Sequence, residues 1–339
     1  MDYLTEDLQI LAEYIACKNI RQSNILITGG TGLIGSITAK AFLTADYSFG
    51  LDNNISVLVR DLNKAQSVFN DFKDINFIVG DITEKFTSGR FDYIIHTASP
   101  TTSKYFMTNP VEVMDSIYLG TKNILEFAKN SSAKSVVCLS SMEVFGVIEE
   151  CKRLTEKELG YIDITSIRSC YSESKRALEL LCKCYFEEYK TPVKIARLAQ
   201  TFGAGVSSSE NRVFAQFARK AISGEDIVLH TTGGSVGNYC YTRDAIKAII
   251  TILTDGQNGE AYTVVNERST MTIKEMAKLV ADNFSGGKSR VVFDIPEGNK
   301  YGYAPETKMH LSSQKLKELG WEPEVDITEM YSRMIPYLT

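Results

Sequence analysis

A glycine-rich loop follows a short apolar strand near the start of the chain. Residues 24–27 are the apolar run, and residues 28–35 read Thr-Gly-Gly-Thr-Gly-Leu-Ile-Gly before a helical pattern begins. In this order, glycines serve a tight turn, the close approach of a pyrophosphate and helix packing, roles that we assign to Gly29, Gly32 and Gly35. The loop predicts a dinucleotide-binding βα unit; a simple turn without a ligand is the alternative. The remaining predicted cofactor contacts of the loop are Thr31, Leu33 and Ile34.

The rest of the chain alternates apolar runs with helical patterns. Further strands are predicted at residues 55–59, 76–79, 93–95, 135–139 and 193–196, and helices at residues 33–43, 110–129 and 171–189. Such alternation predicts an α/β fold, a doubly wound Rossmann-type parallel sheet with helices on both faces.

The pattern changes at both ends of this region. Residues 1–22 read as an amphipathic accessory helix, and after about residue 203 glycine- and serine-rich segments interrupt the pattern. We therefore predict three parts: an N-terminal accessory helix at 1–22, a dinucleotide-binding Rossmann domain at 23–203, and a smaller C-terminal substrate-binding lobe at 204–339. Elements of the lobe are expected to interleave with the first domain.

Charge and cysteine usage narrow the classes of function. The 339 residues carry a net charge of −5, which argues against a nucleic-acid partner. No apolar run of membrane-spanning length exists, and the acidic start does not resemble a secretory signal. Seven cysteines without a disulfide framework and three scattered histidines favour a cytoplasmic protein with reduced thiols and no metal site.

A second motif, far from the glycine loop, predicts the chemistry. Tyr171 and Lys175 are four residues apart, so a helix places them on the same face. A tyrosine is a poor base at neutral pH unless a nearby cation lowers its pKa, and the lysine ammonium and an oxidised nicotinamide would both do so. The phenolate then takes a proton from a substrate alcohol while hydride leaves, and Lys175 also holds the nicotinamide ribose.

A hydroxyl is needed beside the reacting oxygen, and the end of the fifth predicted strand offers two. Ser141 is the first candidate and Ser140 the second.

The end of the second predicted strand bears on the choice of cofactor. An acidic residue here bonds the 2′-hydroxyl of NAD, whereas an arginine pairs with the 2′-phosphate of NADP. The chain has Arg60 followed by Asp61, and alternation points them to opposite faces. Both NAD and NADP therefore stay open, with NAD as the first expectation.

At this point the residues resemble the extended short-chain dehydrogenase/reductase family, in its epimerase/dehydratase branch that acts on nucleotide sugars. The resemblance covers about residues 23–335 and rests on the glycine loop, the Tyr-x-x-x-Lys pair and short motifs at 80–81, 96–100, 141–146, 201–203 and 241–244. It implies a homodimer formed by pairing the helices at 111–129 and 172–189.

Within the branch, the motifs look most like those of UDP-glucuronate decarboxylases. The Ser-x-Glu of Ser141 and Glu143 is similar to their Thr-x-Glu, whereas Met142 stands where 4,6-dehydratases carry an aspartate. The resemblance implies that the catalytic residues are Ser141, Glu143, Tyr171 and Lys175. It implies further cofactor contacts from Asp81, Ile82, Thr97, Ala98 and Ser99.

Two departures concern the substrate diphosphate. The family often has an arginine where this chain has Gly237, and an asparagine where it has Gln200. Because glycine cannot replace a bidentate arginine–phosphate contact, another cation such as Arg212 or Arg219 takes over, or the substrate binds differently. The predicted substrate-binding residues are Ser99, Thr101, Gln200, Arg212, Arg219 and Tyr241.

The expected reaction begins with oxidation of the sugar C4 hydroxyl to a ketone. A C4 ketone turns a C6 carboxylate into a β-keto acid, which loses CO2 readily, and Glu143 would assist at C5. A 4-epimerase, an NADP-dependent keto-sugar reductase and a non-catalytic dinucleotide sensor are the alternatives.

Overall fold

Fifteen short strands, seven of them in one central sheet, organise the described part of the chain. The computed structural model describes residues 2–87, 89–148, 153–297 and 306–339. Within them the strands are β1 (Asn24–Thr28), β2 (Asn54–Val59), β3 (Ile75–Val79), β4 (Tyr93–His96), β5 (Ser135–Ser141), β6 (Arg153–Leu154), β7 (Val193–Leu198), β8 (Gln200–Phe202), β9 (Ile227–Leu229), β10 (Val236–Gly237), β11 (Tyr239–Tyr241), β12 (Ala261–Val264), β13 (Met271–Thr272), β14 (Val291–Phe293) and β15 (His310–Leu311).

Helices connect the strands and cover the sheet. They are α1 (Tyr3–Cys17), α2 (Leu33–Phe49), α3 (Leu62–Val68), α4 (Ser103–Thr108), α5 (Pro110–Ser131), α6 (Ser169–Tyr189), α7 (Val213–Ile222), α8 (Thr242–Asp255), α9 (Ile273–Phe284), α10 (Gln314–Lys317) and α11 (Ile327–Met334). Short 3₁₀ turns lie at Met142–Phe145, Glu267–Ser269 and Ile335–Tyr337. No helix of the described residues is both long and apolar enough to cross a membrane.

The central sheet confirms the predicted doubly wound fold. Its seven strands run in the order β12-β7-β5-β4-β1-β2-β3, and every neighbouring pair is parallel. The strand order reverses between β1 and β4, and ligands of such sheets bind outside the carboxyl ends of the strands at this reversal. Thr28 at the end of β1 is in register with His96 at the end of β4.

The six predicted strands are confirmed to within two residues at each end. Five of these runs are almost wholly buried because helices pack on both faces, so their apolar character is continuous. The sixth, β3, lies at the edge of the sheet and is partly exposed. The seventh strand, β12, was not predicted. Tyr262, Thr263 and Val264 favour a strand, but this short run lies beyond the glycine- and serine-rich segments at which the alternating pattern ends.

The two faces of the sheet have separate cores. One core joins α1, α2 and α8 to the sheet, and the other joins α5 and α6 to it. A third core, formed by α7, α9 and α11, lies in the C-terminal part of the chain. Two elements that follow residue 203 belong to the Rossmann region: β12 is a strand of the central sheet, and α8 packs on that sheet. The domain boundaries at residues 22 and 203 stay predictions.

Candidate active site

The glycine loop at the end of β1 is folded against the end of β4. Gly29 has a φ of +67°, and a Cβ there would lie 2.8 Å from both the Ala98 Cα and the Thr97 Oγ1. A Cβ on Gly35 would clash with the Gly29 carbonyl oxygen, so α2 can begin this close to the loop only with glycine at that position. Gly30, to which the sequence analysis assigned no role, packs against Val57 in the same way.

The start of α2 has the features of an anion site. No side chain caps the helix at Gly32, and the nearest atom to a Cβ built there is the Gly29 oxygen at 3.4 Å. Free N–H groups and the positive end of a 17-residue helix dipole therefore face open space. Thr31, Leu33 and Ile34 are partly exposed around this point. The arrangement suits a pyrophosphate approaching the backbone.

Arg60 and Asp61 have different surroundings. Asp61 is the N-cap of α3, and its carboxylate accepts a hydrogen bond from the Lys64 backbone nitrogen at 3.0 Å. Arg60 is exposed, and its positive charge helps to lower the pKa of Asp81. The arginine guanidinium is thus the group with no local structural role.

Asp81, the predicted adenine contact, is ordered by its own loop. Its carboxylate accepts hydrogen bonds from the Thr83 backbone nitrogen at 2.8 Å and the Thr83 hydroxyl at 2.7 Å, and these bonds lower its pKa. Ile82 is buried, and it packs against Gly120 of α5.

A neutral histidine lies under the glycine loop. Burial, with the Lys175 charge in addition, lowers the pKa of His96 to about 3. Its Nδ1 is 2.8 Å from the Thr28 hydroxyl and its Nε2 is 3.2 Å from the Thr121 hydroxyl. The Thr97 hydroxyl donates to the Thr28 carbonyl oxygen at 2.6 Å. These bonds tie β1, β4 and α5 together, a role for His96 that the sequence analysis did not assign.

The loop after β4 supplies the predicted residues Ser99 and Thr101. The Ser99 hydroxyl is partly buried and donates to the Pro100 carbonyl oxygen at 3.1 Å, while Thr101 is exposed.

Tyr171 lies with Ser141 where α6 begins beside the end of β5. The Ser141 hydroxyl acts to lower the pKa of Tyr171. Ser140, the second candidate, meets a different residue of the same helix, because its hydroxyl donates to the Glu179 carboxylate at 2.5 Å. Ser141 is therefore the serine that accompanies Tyr171.

Burial governs the protonation of the tyrosine–lysine pair. Burial and the Glu143 charge raise the pKa of Tyr171. Ser141, Arg168 and Arg212 act to lower it, but their combined effect is smaller. Burial also lowers the pKa of Lys175 to about 8. In the protein without a cofactor, Lys175 is therefore not among the groups that lower the Tyr171 pKa, although the sequence predicted that it would be. The cations that act to lower this pKa are Arg168 and Arg212.

Lys175 reaches β5 rather than the tyrosine oxygen. Its Nζ donates to the Leu139 carbonyl oxygen at 2.8 Å and lies 5.7 Å from the centroid of the Tyr171 ring.

Glu143 is held by residues that the sequence analysis missed. Its carboxylate accepts two hydrogen bonds from Arg168, at 2.9 and 2.8 Å, and one from the Ser172 hydroxyl at 3.0 Å. The Arg168 guanidinium lies 4.8 Å from the centroid of the Phe106 ring, and that ring stacks on Tyr171 at 4.4 Å. Phe106 thus contacts both Tyr171 and the arginine that holds the Glu143 carboxylate. An arginine three residues before the tyrosine was the signal available.

The two arginines proposed to replace the diphosphate arginine lie in different places. Arg212, at the N-cap of α7, pairs with Glu210 at 2.7 Å, and its charge reaches Tyr171 strongly enough to lower the pKa of that residue. Arg219 donates to the Glu210 and Ser208 carbonyl oxygens and so holds the preceding loop. Of these two arginines, Arg212 is the one whose charge acts on the Tyr171 pKa.

Tyr241 does not fit its predicted role in substrate binding. It is fully buried, and its hydroxyl donates to Asp7 of α1, which also accepts from Arg243 at 2.9 Å. The tyrosine thus joins the accessory helix to the start of α8. Gln200 stays partly exposed at the start of β8.

Position 237, where the family often has an arginine, has no room for a side chain. A Cβ on Gly237 would clash with the Tyr239 hydroxyl, so the tyrosine side chain fills the space that a residue at 237 would need.

The family follows from comparison with known proteins. The model of the family described as NAD dependent epimerase/dehydratase matches residues 25–266. The chain belongs to this family. It is an NAD-dependent enzyme of the epimerase, decarboxylase and dehydratase type, as the motifs predicted.

Relatives are similar along most of the chain. UDP-glucuronic acid decarboxylase 1 of Danio rerio is 26% identical over 319 residues, which are 94% of this chain and 73% of the relative. UDP-glucuronic acid decarboxylase 6 of Arabidopsis thaliana is 28% identical over 316 residues, 91% of this chain and 87% of the relative.

The fold is shared with solved structures. UDP-glucose 4-epimerase of Thermotoga maritima has a TM-score of 0.78 at 22% identity, covering 93% of this chain and 98% of its own. dTDP-glucose 4,6-dehydratase of Bacillus anthracis has a TM-score of 0.73 at 20% identity, covering 93% and 96%.

Proposed function

We propose that this enzyme modifies a nucleotide sugar through a 4-keto intermediate, and that decarboxylation of UDP-glucuronate is its reaction. The observation that carries the choice is the similarity to UDP-glucuronic acid decarboxylases along more than nine tenths of the chain. The Arg212 charge, which acts on Tyr171, agrees with this choice. A guanidinium at the reacting end suits a sugar that carries a carboxylate, because arginine pairs with carboxylates through charge-assisted bonds. The names of the relatives at 26% and 28% identity support the same reaction.

The glycine loop and the start of α2 would hold the NAD pyrophosphate, Asp81 and Ile82 the adenine, and Lys175 the nicotinamide ribose. When bound, NAD supplies the acceptor for the C4 hydride and later its donor. Tyr171, as phenolate, takes the proton of the C4 hydroxyl, and Ser141 orients the oxygen by hydrogen bonding. The two arginine charges counter the burial that keeps Tyr171 protonated.

The C4 ketone then permits carbon–carbon cleavage. The C5–C6 bond breaks and CO2 leaves. The electron pair of this bond stays on the sugar as an enolate, shared between C5 and the C4 oxygen, and C5 is then protonated. Glu143, held by Arg168 and Ser172, keeps a fixed negative charge beside the sugar ring. Tyr171 returns its proton to the C4 oxygen when the ketone is reduced.

The test is a product assay with UDP-glucuronate and NAD. We expect one CO2 and one UDP-pentose per substrate consumed, with no net accumulation of NADH, because the cofactor is recycled. Interconversion of UDP-glucose and UDP-galactose without CO2 would instead identify a 4-epimerase. Steady consumption of added NADPH with a keto sugar would identify a reductase.

The reductase is the second candidate because Arg60 is exposed while Asp61 caps α3. If Arg60 pairs with a 2′-phosphate, Arg60→Ala should weaken NADP binding by about 10- to 100-fold, the worth of a charge-assisted hydrogen bond. NAD affinity should change less than about twofold. Fluorescence titration with NADPH and NADH measures both.

Lys73→Ala removes one exposed positive charge from the same domain and is the matched control for net charge. Equal losses of NADH and NADPH affinity in the Arg60 variant would contradict a 2′-phosphate contact.

We also propose a homodimer formed through α5 and α6. Val111, Met114 and Tyr118 are exposed on α5, and Leu180 is exposed on α6. Their spacing on α5 puts them on one helix face, and exposed apolar faces of this kind mark protein interfaces. The double variant Met114→Glu, Tyr118→Glu should therefore be monomeric while the wild type has twice the chain mass by light scattering.

Ile164→Glu changes an exposed apolar residue outside these helices and should leave the dimer intact. A wild-type protein that is already monomeric would overturn the proposal.

The six described cysteines are free thiols, which supports our proposal of a reducing, cytoplasmic setting. Among the described residues, no cluster of acidic, histidine and cysteine side chains forms a metal site.

A further inference from the structure

The helix that carries Tyr171 and Lys175 has a third polar residue on the same face. Glu179 follows Lys175 by four residues on α6, so the three side chains lie on one helix face. Each contacts a different residue at the end of β5. The three contacts, in chain order along α6, are with the Ser141 hydroxyl, the Leu139 carbonyl oxygen and the Ser140 hydroxyl.

The Glu179 carboxylate is buried and has a full set of partners. It accepts from the Ser140 hydroxyl at 2.5 Å and from the Arg197 guanidinium at 2.9 Å (Nε) and 2.7 Å (Nη2). The side chains of Glu179 and Arg197 are 12% and 6% exposed. Arg197 lies on β7 in register with Ser140, so the pair bridges α6 to two neighbouring strands. Burying two charges is costly, and one ion pair seldom improves stability over apolar packing.

Few charges face Lys175. The groups around it are His96 from β4, Cys138 from β5, and Tyr171, Glu179 and Cys182 from its own helix. His96 is neutral because of its low pKa, and burial keeps the pKa of Cys182 well above its usual value. Cys138, then Glu179 and Cys182, oppose the effect of burial on the Lys175 pKa, and Glu179 is the carboxylate among them.

We propose that Glu179 is a positioning residue for the catalytic pair. Bound to Arg197, it fixes the register of α6 against β5 through Ser140 and keeps a negative charge one helical turn from Lys175, so that the lysine stays an ammonium ion. The proposal rests on the roles given to Tyr171 and Lys175 under the proposed function.

The test measures NADH affinity against pH in the wild type and in Glu179→Gln, which keeps an acceptor for Ser140. Lys175 is charged below its pKa, so affinity should be high at low pH and fall as the pH rises through about 8. Without the carboxylate the lysine loses its proton more readily, and the decline should begin at lower pH. We expect affinity about fivefold weaker than wild type at pH 7.5 and within about twofold at pH 6.

The double variant Glu179→Met, Arg197→Met leaves no unpaired buried charge, and its decline should lie between those of Glu179→Gln and the wild type, because the arginine charge is removed with the carboxylate. Glu187→Gln alters an exposed glutamate on the same helix, paired with Lys183 at 3.2 Å, and should not move it. A wild-type pH profile in either Glu179 variant overturns the inference. Because the readout is binding, a protein that binds NADH but converts no nucleotide sugar would refute the proposed function while the profile still decides the role of Glu179.

Discussion

Tyr171→Phe is expected to lower turnover of the nucleotide sugar by about 10²- to 10⁴-fold, the usual contribution of a positioned acid–base group. The substitution removes the oxygen that takes the C4 proton but keeps the ring that stacks on Phe106 at 4.4 Å. Dinucleotide affinity and the thermal unfolding midpoint should therefore stay close to those of the wild type. The measurements are CO2 release under saturating substrate and NADH titration.

The matched control is Tyr185→Phe on the same helix. The Tyr185 hydroxyl donates to Glu126 at 3.1 Å, away from the site, so its loss should leave turnover within about twofold. If the Tyr171 variant retained turnover similar to that of the control, the acid–base assignment would be wrong, and a non-catalytic dinucleotide sensor would become the better explanation for a protein that binds NADH.

Gly32→Ala is expected to weaken dinucleotide binding by about 10- to 100-fold, the cost of an added methyl where two surfaces are already in contact. Within the protein the methyl has room, since its nearest neighbour is the Gly29 oxygen at 3.4 Å. The free energy of unfolding should thus fall by less than about 1 kcal/mol. Isothermal titration with NAD and urea unfolding of the same preparation separate the two effects.

Gly35→Ala provides the contrast on the same loop. Its methyl would clash with the Gly29 oxygen, so both stability and binding should suffer. Wild-type affinity in Gly32→Ala would show that the pyrophosphate does not approach the backbone at this residue, whatever the outcome for Gly35→Ala.

Local patterns predicted the parts of the site that depend on neighbours in the chain. The glycine loop needs only its flanking strand and helix, and Tyr171 and Lys175 share a face because they are four residues apart. Buried strands were recognisable because a sheet covered on both faces needs continuous apolar runs. The unpredicted strand β12 has only four residues, so its strand formers Tyr262, Thr263 and Val264 give a weaker signal than the longer apolar runs.

Other parts required the register of the sheet and the packing of distant segments. Sequence could not choose between Ser140 and Ser141, because both meet α6 and the choice depends on how the helix is positioned along β5. It also could not pair Glu143 with Arg168, which lie on separate elements and meet only in the folded chain.

The sequence by itself determined the cofactor class and the sheet and predicted the Tyr171–Lys175 pair, because these follow from short-range spacing along single elements. Tertiary structure decided that the charge of Arg212 acts on Tyr171 while Arg219 holds a loop, and that Tyr241 joins α8 to α1. It also decided the protonation of the pair, since burial raises the pKa of Tyr171 and lowers that of Lys175. The physical reason is that burial and the field of distant charges depend on the whole fold, not on the neighbours of a residue in the chain.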